Sequence, residues 1–588
     1  MTNRTEASRP RRLRTVLFVC LGIVAIVVIA AAWVGVRALL AKGELDAIVP
    51  LVDDVKSAAS DRDLNRIDTL ASELADHAER ATALTSDPVW RTAEAVPWLG
   101  PNLAAVRIAS SQLDQMSRKV VQPLVKVAQQ EQKTSSGGSL DIAGISAAVK
   151  PLAVAASTTH RAARDLAAID TDALIAPLAS GIHRLSTVVD SADATLVSLS
   201  KVATVVPGLV GADGPRTLLL VIQNNAELRT GGGITGTFIQ VRVADGRLAL
   251  TGIADSSQFR RRDASIIPVP ASLTSLYGDV AGRFVQDASI PADFELTGRL
   301  VSAWWASRAG TAPDAVVSID PFVLKSLLSV TGPVVLPDGS TLTASNLVKR
   351  LLVDPYMTMT TEQQTAFFAE ATSAMFARLF GKGLDPLAWV QGLQDPVREG
   401  RISVWSADVS EQKRLTATVL GGPAVRQTLS GKDAYAVYLN DRDGGKMGTF
   451  LKTSITAGTA QCRQDGVRTV GIDVSLTSTA PANAASLPVS MTGGGLYGAK
   501  AGDIGLIVSV SAPKKAFFGG VFLDGKPIPS TNVVDGDFAV SAAHVDLPPG
   551  RTGVLEFRFT LEKAREPVIL HTPLVNDPRI RTATPTCG

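Results

Sequence analysis

Between Thr15 and Val36 the chain reads TVLFVCLGIVAIVVIAAAWVGV, a run without a single charge. As a helix it is long enough to cross the ~30 Å hydrocarbon core of a bilayer. The apolar region of a cleaved secretory signal is only about 7–15 residues, so this length favours an anchor that is retained. Arg9, Arg11, Arg12 and Arg14 precede the run, and the mixed charges Arg37, Lys42, Glu44 and Asp46 follow it. The positive-inside rule then predicts a cytoplasmic tail at 1–14, a transmembrane helix at 15–36, and everything beyond about residue 40 outside the cell. The expected product is a single-pass protein of the cell membrane with its bulk extracytoplasmic.

This orientation sets the chemistry open to the cysteines. Cys20 lies inside the run and lacks the small residues that precede a lipid-modified cysteine. Cys462 and Cys587 bracket the C-terminal region, where an oxidising compartment favours one disulfide that stabilises by a few kcal/mol. Two isolated cysteines are too few for a metal site.

A chain of 588 residues is too long for one core. Residues 41–205 are Ala-rich and helical in pattern. Leu45, Ile48, Val52 and Val55 form a short apolar seam that ends at Asp61-Arg62-Asp63, and Asp87-Pro88 signals a helix start. VPWLGPN and SSGGS (135–139) mark turns, giving four or five helices in an antiparallel stalk or bundle. Residues 210–447 alternate apolar strands with helical stretches, the pattern of an α/β domain. Residues 448–588 show short alternating segments separated by turns, which predicts a β-sandwich. The fold class is therefore multidomain α+β.

RTGGGITGTF contains a formal G-x-G-x-x-G at Gly231, Gly233 and Gly236. A dinucleotide site would need a helix next, with its N-terminal amides on the pyrophosphate. Instead Ile239, Val241 and Val243 alternate with polar residues, and Asp245-Gly246 supplies a hairpin turn. No nucleotide cofactor is expected. A net charge of +3, with its basic cluster at the N-terminus, also excludes the basic stripe of a nucleic-acid binder.

Histidine is absent between 210 and 440, which removes Ser-His-Asp and Cys-His mechanisms from the central region. Around the glycines stand Asn224, Asn225, Glu227, Arg229, Gly231, Gly232 and Gly233; after the hairpin come Asp255, Arg260, Arg261, Arg262 and Asp263. Guanidinium forks bind phosphate oxygens, glycine amides can approach them closely, and a carboxylate can hold magnesium. In NDRDGGK (440–446) the glutamate that would complete a calcium loop is missing, so a turn is expected, with Lys446 placed to reach an anion.

LLLVIQNNAELRTGGGITGTF, DAVVSIDPFVLKSLLSVTGPV, NDRDGGKMGTFL and the later QC together resemble the bacterial family of domain of unknown function 4012, membrane-anchored proteins common in actinobacteria. The order of strand, Arg/Gly loop, hairpin and Arg-rich loop before VSIDPFVLKSLLSVTGPVVL is similar to the LytR-CpsA-Psr family. Those phosphotransferases move glycan from a polyprenyl-diphosphate carrier to the cell wall. That resemblance implies an aspartate where this chain has Asn224 or Asn225, leaving Glu227, Asp255 or Asp263 as the candidate catalytic carboxylates and magnesium ligands. It also implies a central domain that binds a polyprenyl-linked glycan or cell-wall polysaccharide, with phosphoryl transfer as its activity. The alternative is a non-catalytic scaffold or tether for polysaccharide assembly. An apolar tunnel opening beside Arg229 and Arg260 to Arg262 would separate the two, since only a lipid carrier needs one.

Overall fold

The computed structural model describes residues 10–61, 63–134, 140–380, 386–462, 467–562 and 566–583. The chain divides into two compact units. The first is Met1–Lys133 with Gly144–Ala203, and the second is Thr134–Ala143 with Thr204–Gly588.

The first unit is helical. Helix Pro10–Ser60 runs unbroken through the apolar stretch, and its part Leu17–Val55 is long and apolar enough to cross a membrane. Beyond that stretch, Leu45, Ile48 and Val52 pack on Leu74 and Ala78 of helix Leu64–Thr85. The seam ends where expected: the helix stops at Ser60, and Asp63 starts the next by accepting the Arg66 amide. Asp87 likewise caps Pro88–Ala93 through the amides of Val89 and Trp90. Trp90 is wholly buried and donates its indole N–H to the Leu103 carbonyl at 3.2 Å. Helix Ile142–Ala167 is also long and apolar enough for a membrane, but its Ala162, Ala163 and Leu166 pack on Val189 of helix Ala176–Ala203.

The second unit begins with a five-stranded sheet. Its members are β1 (Arg216–Asn224), β2 (Ile234–Ala244), β3 (Arg247–Asp255), β4 (Ala315–Ile319) and, after the small hairpin β5 (Val334–Val335) and β6 (Thr341–Leu342), β7 (Ser403–Ser406), in the order β3-β2-β1-β4-β7. Only β1 and β4 are parallel. Asp245 and Gly246 turn β2 into β3 with φ of 50° and 73°, the left-handed pair that a two-residue hairpin demands. Alternation along β1 supplies both faces of the sheet. Leu219 and Val221 join Phe238, Trp304 and Trp305, whereas Leu218, Leu220 and Ile222 lie with Ile239, Val241 and Phe376.

The remainder is mostly β. One sheet holds β13 (Lys526–Ile528), β12 (Phe517–Leu523), β16 (Thr552–Leu561), β10 (Arg468–Ser478), β9 (Leu451–Cys462) and β18 (Arg579–Thr582) in that order. The other holds β14 (Thr531–Asp535), β15 (Phe538–Leu547), β11 (Ile504–Ala512), β8 (Ala434–Asp441) and β17 (Val568–His571). Both line one core that includes Val437, Leu439, Ile472, Val474, Val508, Leu555, Phe557 and Phe559. Every residue of β8 is buried. Tyr435, Val437 and Leu439 enter that core, while Tyr438 and Asn440 point the opposite way, Asn440 reaching the glycine loop. The expected Cys462–Cys587 disulfide lies outside the described residues, which end at 583.

Candidate functional site

The glycine loop joins β1 to β2, and its amides are already committed. Gly231 N–H donates to the Ser289 carbonyl (3.0 Å), Gly232 N–H to the Arg229 carbonyl (2.8 Å) and Gly233 N–H to Gln223 Oε1 (3.1 Å). An anion cradle needs free amides, so these glycines shape the chain instead. Gly232 has a φ of +136°, and a Cβ on Gly233 would stand 2.1 Å from the Asn224 carbonyl oxygen.

Arg229 is 6% exposed. Its Nε donates to Asp287 Oδ1 at 2.6 Å, Nη1 to the carbonyls of Leu228 (2.7 Å) and Asp441 (3.3 Å), and Nη2 to Glu227 Oε1 at 3.2 Å, with Nη2 also ion-paired to Asp287. All three guanidinium nitrogens are engaged within the protein. Glu227 also pairs with Lys446 through Oε2. Burial alone would raise the Glu227 carboxyl, but Lys446 and Arg229 outweigh it and hold the group below its ordinary value. Burial outweighs Arg229 at Asp287, whose carboxyl is raised. Two cations and two carboxylates thus balance in a dry space.

Asp441 is a third carboxyl beside this set. Burial, then the nearby charges of Asp443 and Glu227, push it well above the usual range. Between about pH 3.9, where the unfolded chain releases its proton, and the raised native value, the native protein keeps it. The resulting stabilisation is complete below that pH and is lost as pH rises through the higher native value. Asp441→Asn keeps a neutral side chain at the acceptor position for the Asp443 and Gly444 amides. It should flatten the fall of stability with pH above about pH 4, read by urea unfolding at several pH values. A slope identical to wild type would refute a protonated Asp441.

A second network joins residues far apart in the sequence. Asp320 caps helix Pro321–Thr331 through the amides of Phe322 (2.9 Å) and Val323 (3.1 Å), and its other oxygen accepts from Arg401 Nη1 (2.7 Å) and Asn225 Nδ2 (3.1 Å). Asn225 also donates to the Pro573 carbonyl at 3.1 Å. The Asp-Pro step in SIDPF signals the cap, but nothing local signals Arg401.

Asn224 leads to a cavity. Its Nδ2 donates to the Tyr356 hydroxyl at 2.6 Å. Together with Asp255 and Lys446 these residues form the polar end of a space of about 190 Å³, whose other walls include Leu351, Leu352, Phe368 and Met375. Lys446 Nζ lies 5.2 Å above the Tyr356 ring. Ile222, Thr372 and Met375 also line an adjacent space of about 170 Å³ that is almost wholly apolar, reaching Leu324, Phe380 and Trp389. Arg229 and Arg260 to Arg262 line neither.

The remaining candidates stand apart. Arg260, Arg261, Arg262 and Asp263 are exposed. Arg261 stacks over Phe284 at 5.4 Å, and Arg262 is tied by its backbone to Arg283. Asp255 accepts the Ser257 amide at 2.8 Å. Asp263 is exposed and lines neither space, whereas Asp255 lines the same space as Lys446, the partner of Glu227. Among the described residues no group of three or more His, Cys, Asp and Glu side chains is arranged to hold a metal ion.

No curated protein and no solved structure matches this chain, and no similarity to the LytR-CpsA-Psr phosphotransferases emerges from the comparisons. Residues 213–356, which run from just before β1 through the glycine loop and Asp320 to Tyr356 at the cavity mouth, match the family described as Protein of unknown function (DUF4012).

Proposed function

We propose that the second unit binds a polyprenyl-phosphate-linked glycan at the outer face of the membrane. The isoprenoid enters the apolar space, and the phosphate meets Lys446, Asn224 and Tyr356. The observation carrying this reading is the paired cavity: a space with polar residues in its wall that shares Ile222, Thr372 and Met375 with an almost wholly apolar one. Ligand pockets commonly hold ~300–1,000 Å³, so these smaller spaces suit the phosphate-proximal isoprene units rather than a whole carrier. The apolar helix Pro10–Ser60 supports a membrane location.

Binding without transfer is the reading the carboxylates favour. Glu227 is neutralised by Arg229 and Lys446, Asp263 is exposed, and only Asp255 lines the mouth. Magnesium uses one or two carboxylates plus ligand phosphates, so Asp255 is the residue that would hold it.

The full-length protein in detergent should bind a short polyprenyl phosphate by calorimetry more tightly than the headgroup alone. Met375→Trp, placed where the two spaces meet, should weaken that affinity at least about tenfold, or ~1.4 kcal/mol, with the melting temperature measured in parallel. An affinity untouched by the substitution in a folded variant, or no binding by wild type, would leave the scaffold reading in its place. An affinity that responds to magnesium, and ceases to respond in Asp255→Asn, would restore transfer chemistry to consideration.

A further inference from the structure

A separate cavity has Thr230 of the glycine loop in its wall. Its volume is about 140 Å³, and its lining includes Thr230, Glu399, Gly400, Arg426, Tyr438 and His571. None of these residues lines the two spaces described above.

Arg426 stands on helix Pro423–Leu429. Its guanidinium occupies the position that a side chain on Gly400 would take. Gly400 has a φ of +72°, and a Cβ there would come 2.8 Å from Nε and 3.0 Å from Cζ. Nη1 donates to the carbonyls of Val419 (3.2 Å) and Ile402 (3.4 Å) and to Ser403 Oγ (3.3 Å), all neutral groups. Among the described residues no carboxylate pairs with Arg426, and its Nε and Nη2 have no hydrogen-bond partner. Arg229 and Arg401, by contrast, each hold two or more carboxylates. Burial without a counter-charge lowers the Arg426 guanidinium to about 10.

Tyr438 supplies an independent indication. It is 4% exposed, projects from β8 away from the core between the C-terminal sheets, and its hydroxyl has no partner. A buried hydroxyl left unpaired is costly, so one in a cavity wall points to an acceptor that the cavity would receive. The wall also carries Glu399 and Arg398, but each has its own partner: Glu399 is held by Arg401 Nε at 2.5 Å, and Arg398 pairs with Asp395 at 2.8 Å.

We propose that this cavity is an oxyanion site, in which Arg426 Nε and Nη2 form the fork and the Tyr438 hydroxyl donates a further hydrogen bond. Planar forks of this kind suit phosphate and carboxylate oxygens. The space of about 140 Å³ admits a phosphate or carboxylate group.

The test uses the full-length protein in detergent, titrated with inorganic phosphate, glycerol phosphate and acetate against chloride at constant ionic strength. Calorimetry and the melting temperature are the readouts. Wild type should bind at least one of the three and melt at a higher temperature in its presence. Tyr438→Phe removes one donor to a charged ligand and should weaken binding about tenfold, while Arg426→Met should abolish it. Preference for phosphate, phosphomonoester or carboxylate identifies the natural group, and any of the three supports the site. No response beyond chloride, or equal affinities in wild type and a folded Tyr438→Phe variant, would overturn the proposal even if Arg426→Met failed to fold.

Discussion

Gly233→Ala should leave almost no folded second unit. A methyl at this position would lie 2.1 Å from the Asn224 carbonyl oxygen, 2.2 Å from its carbon and 2.6 Å from the Asn225 nitrogen. All three are backbone atoms, so no rotamer change relieves the clash. The loop must separate from the end of β1, and the Gly233 amide then leaves Gln223 while Ser289 Oγ loses the Gly233 carbonyl. A loss above ~4 kcal/mol is the exceptional range for one substitution, and this site combines overpacking with broken buried hydrogen bonds. Soluble yield and a denaturant melt are the measurements. Gly181→Ala is the control: its methyl meets nothing within 4 Å in helix Ala176–Ala203, and helix propensity predicts a gain of about 0.5–1 kcal/mol. A Gly233→Ala protein that melts within 1 kcal/mol of wild type would show that the loop is far more plastic than its hydrogen bonds imply.

Glu227→Leu should destabilise by about 3–5 kcal/mol, the range for breaking a buried ion pair. The substitution leaves Lys446 and Arg229 facing one carboxylate, Asp287, in a space with little access to water. A double variant, Glu227→Leu with Lys446→Met, restores charge balance and should recover a substantial part of the loss, because apolar replacements of buried pairs are often tolerated. Urea unfolding of both variants decides the matter. A double variant as unstable as the single one would mean that packing, not charge, is the function of Glu227. Arg229→Lys belongs to the same argument: a lysine cannot span two carboxylates and two carbonyls.

The sequence made the local features legible and concealed the distant ones. Asp63 and Asp87 announce helix starts, and Asp245-Gly246 announces a hairpin, because each acts within a few residues. The glycines at 231 to 233 were visible as a pattern, but their use was not. They accommodate the returning backbone of β1 and the Ser289 segment, which only the folded register brings near. Arg229 reads as a loop charge available to a ligand. Its partners Asp287 and Asp441 lie 58 and 212 positions away, so the neutralisation of its charge has no local signature. The same holds for Asp320 and Arg401, 81 positions apart. Arg260 to Arg262 remain exposed, as most runs of like charge do. The polar mouth was half legible, since Asn224, Asp255 and Lys446 were candidates and Tyr356 was not.

The bond from Asn225 to the Pro573 carbonyl spans 348 positions, and Leu228 belongs to the core that the last strands complete. A ribosome adding about 5–20 residues per second needs roughly 20–70 s to make that interval. Throughout it, the end of β1 and the glycine loop wait without their C-terminal partners. The nascent chain passes this period with the apolar surface around Leu228 uncovered, so the region 213–356 closes its core only after the last strands have been made.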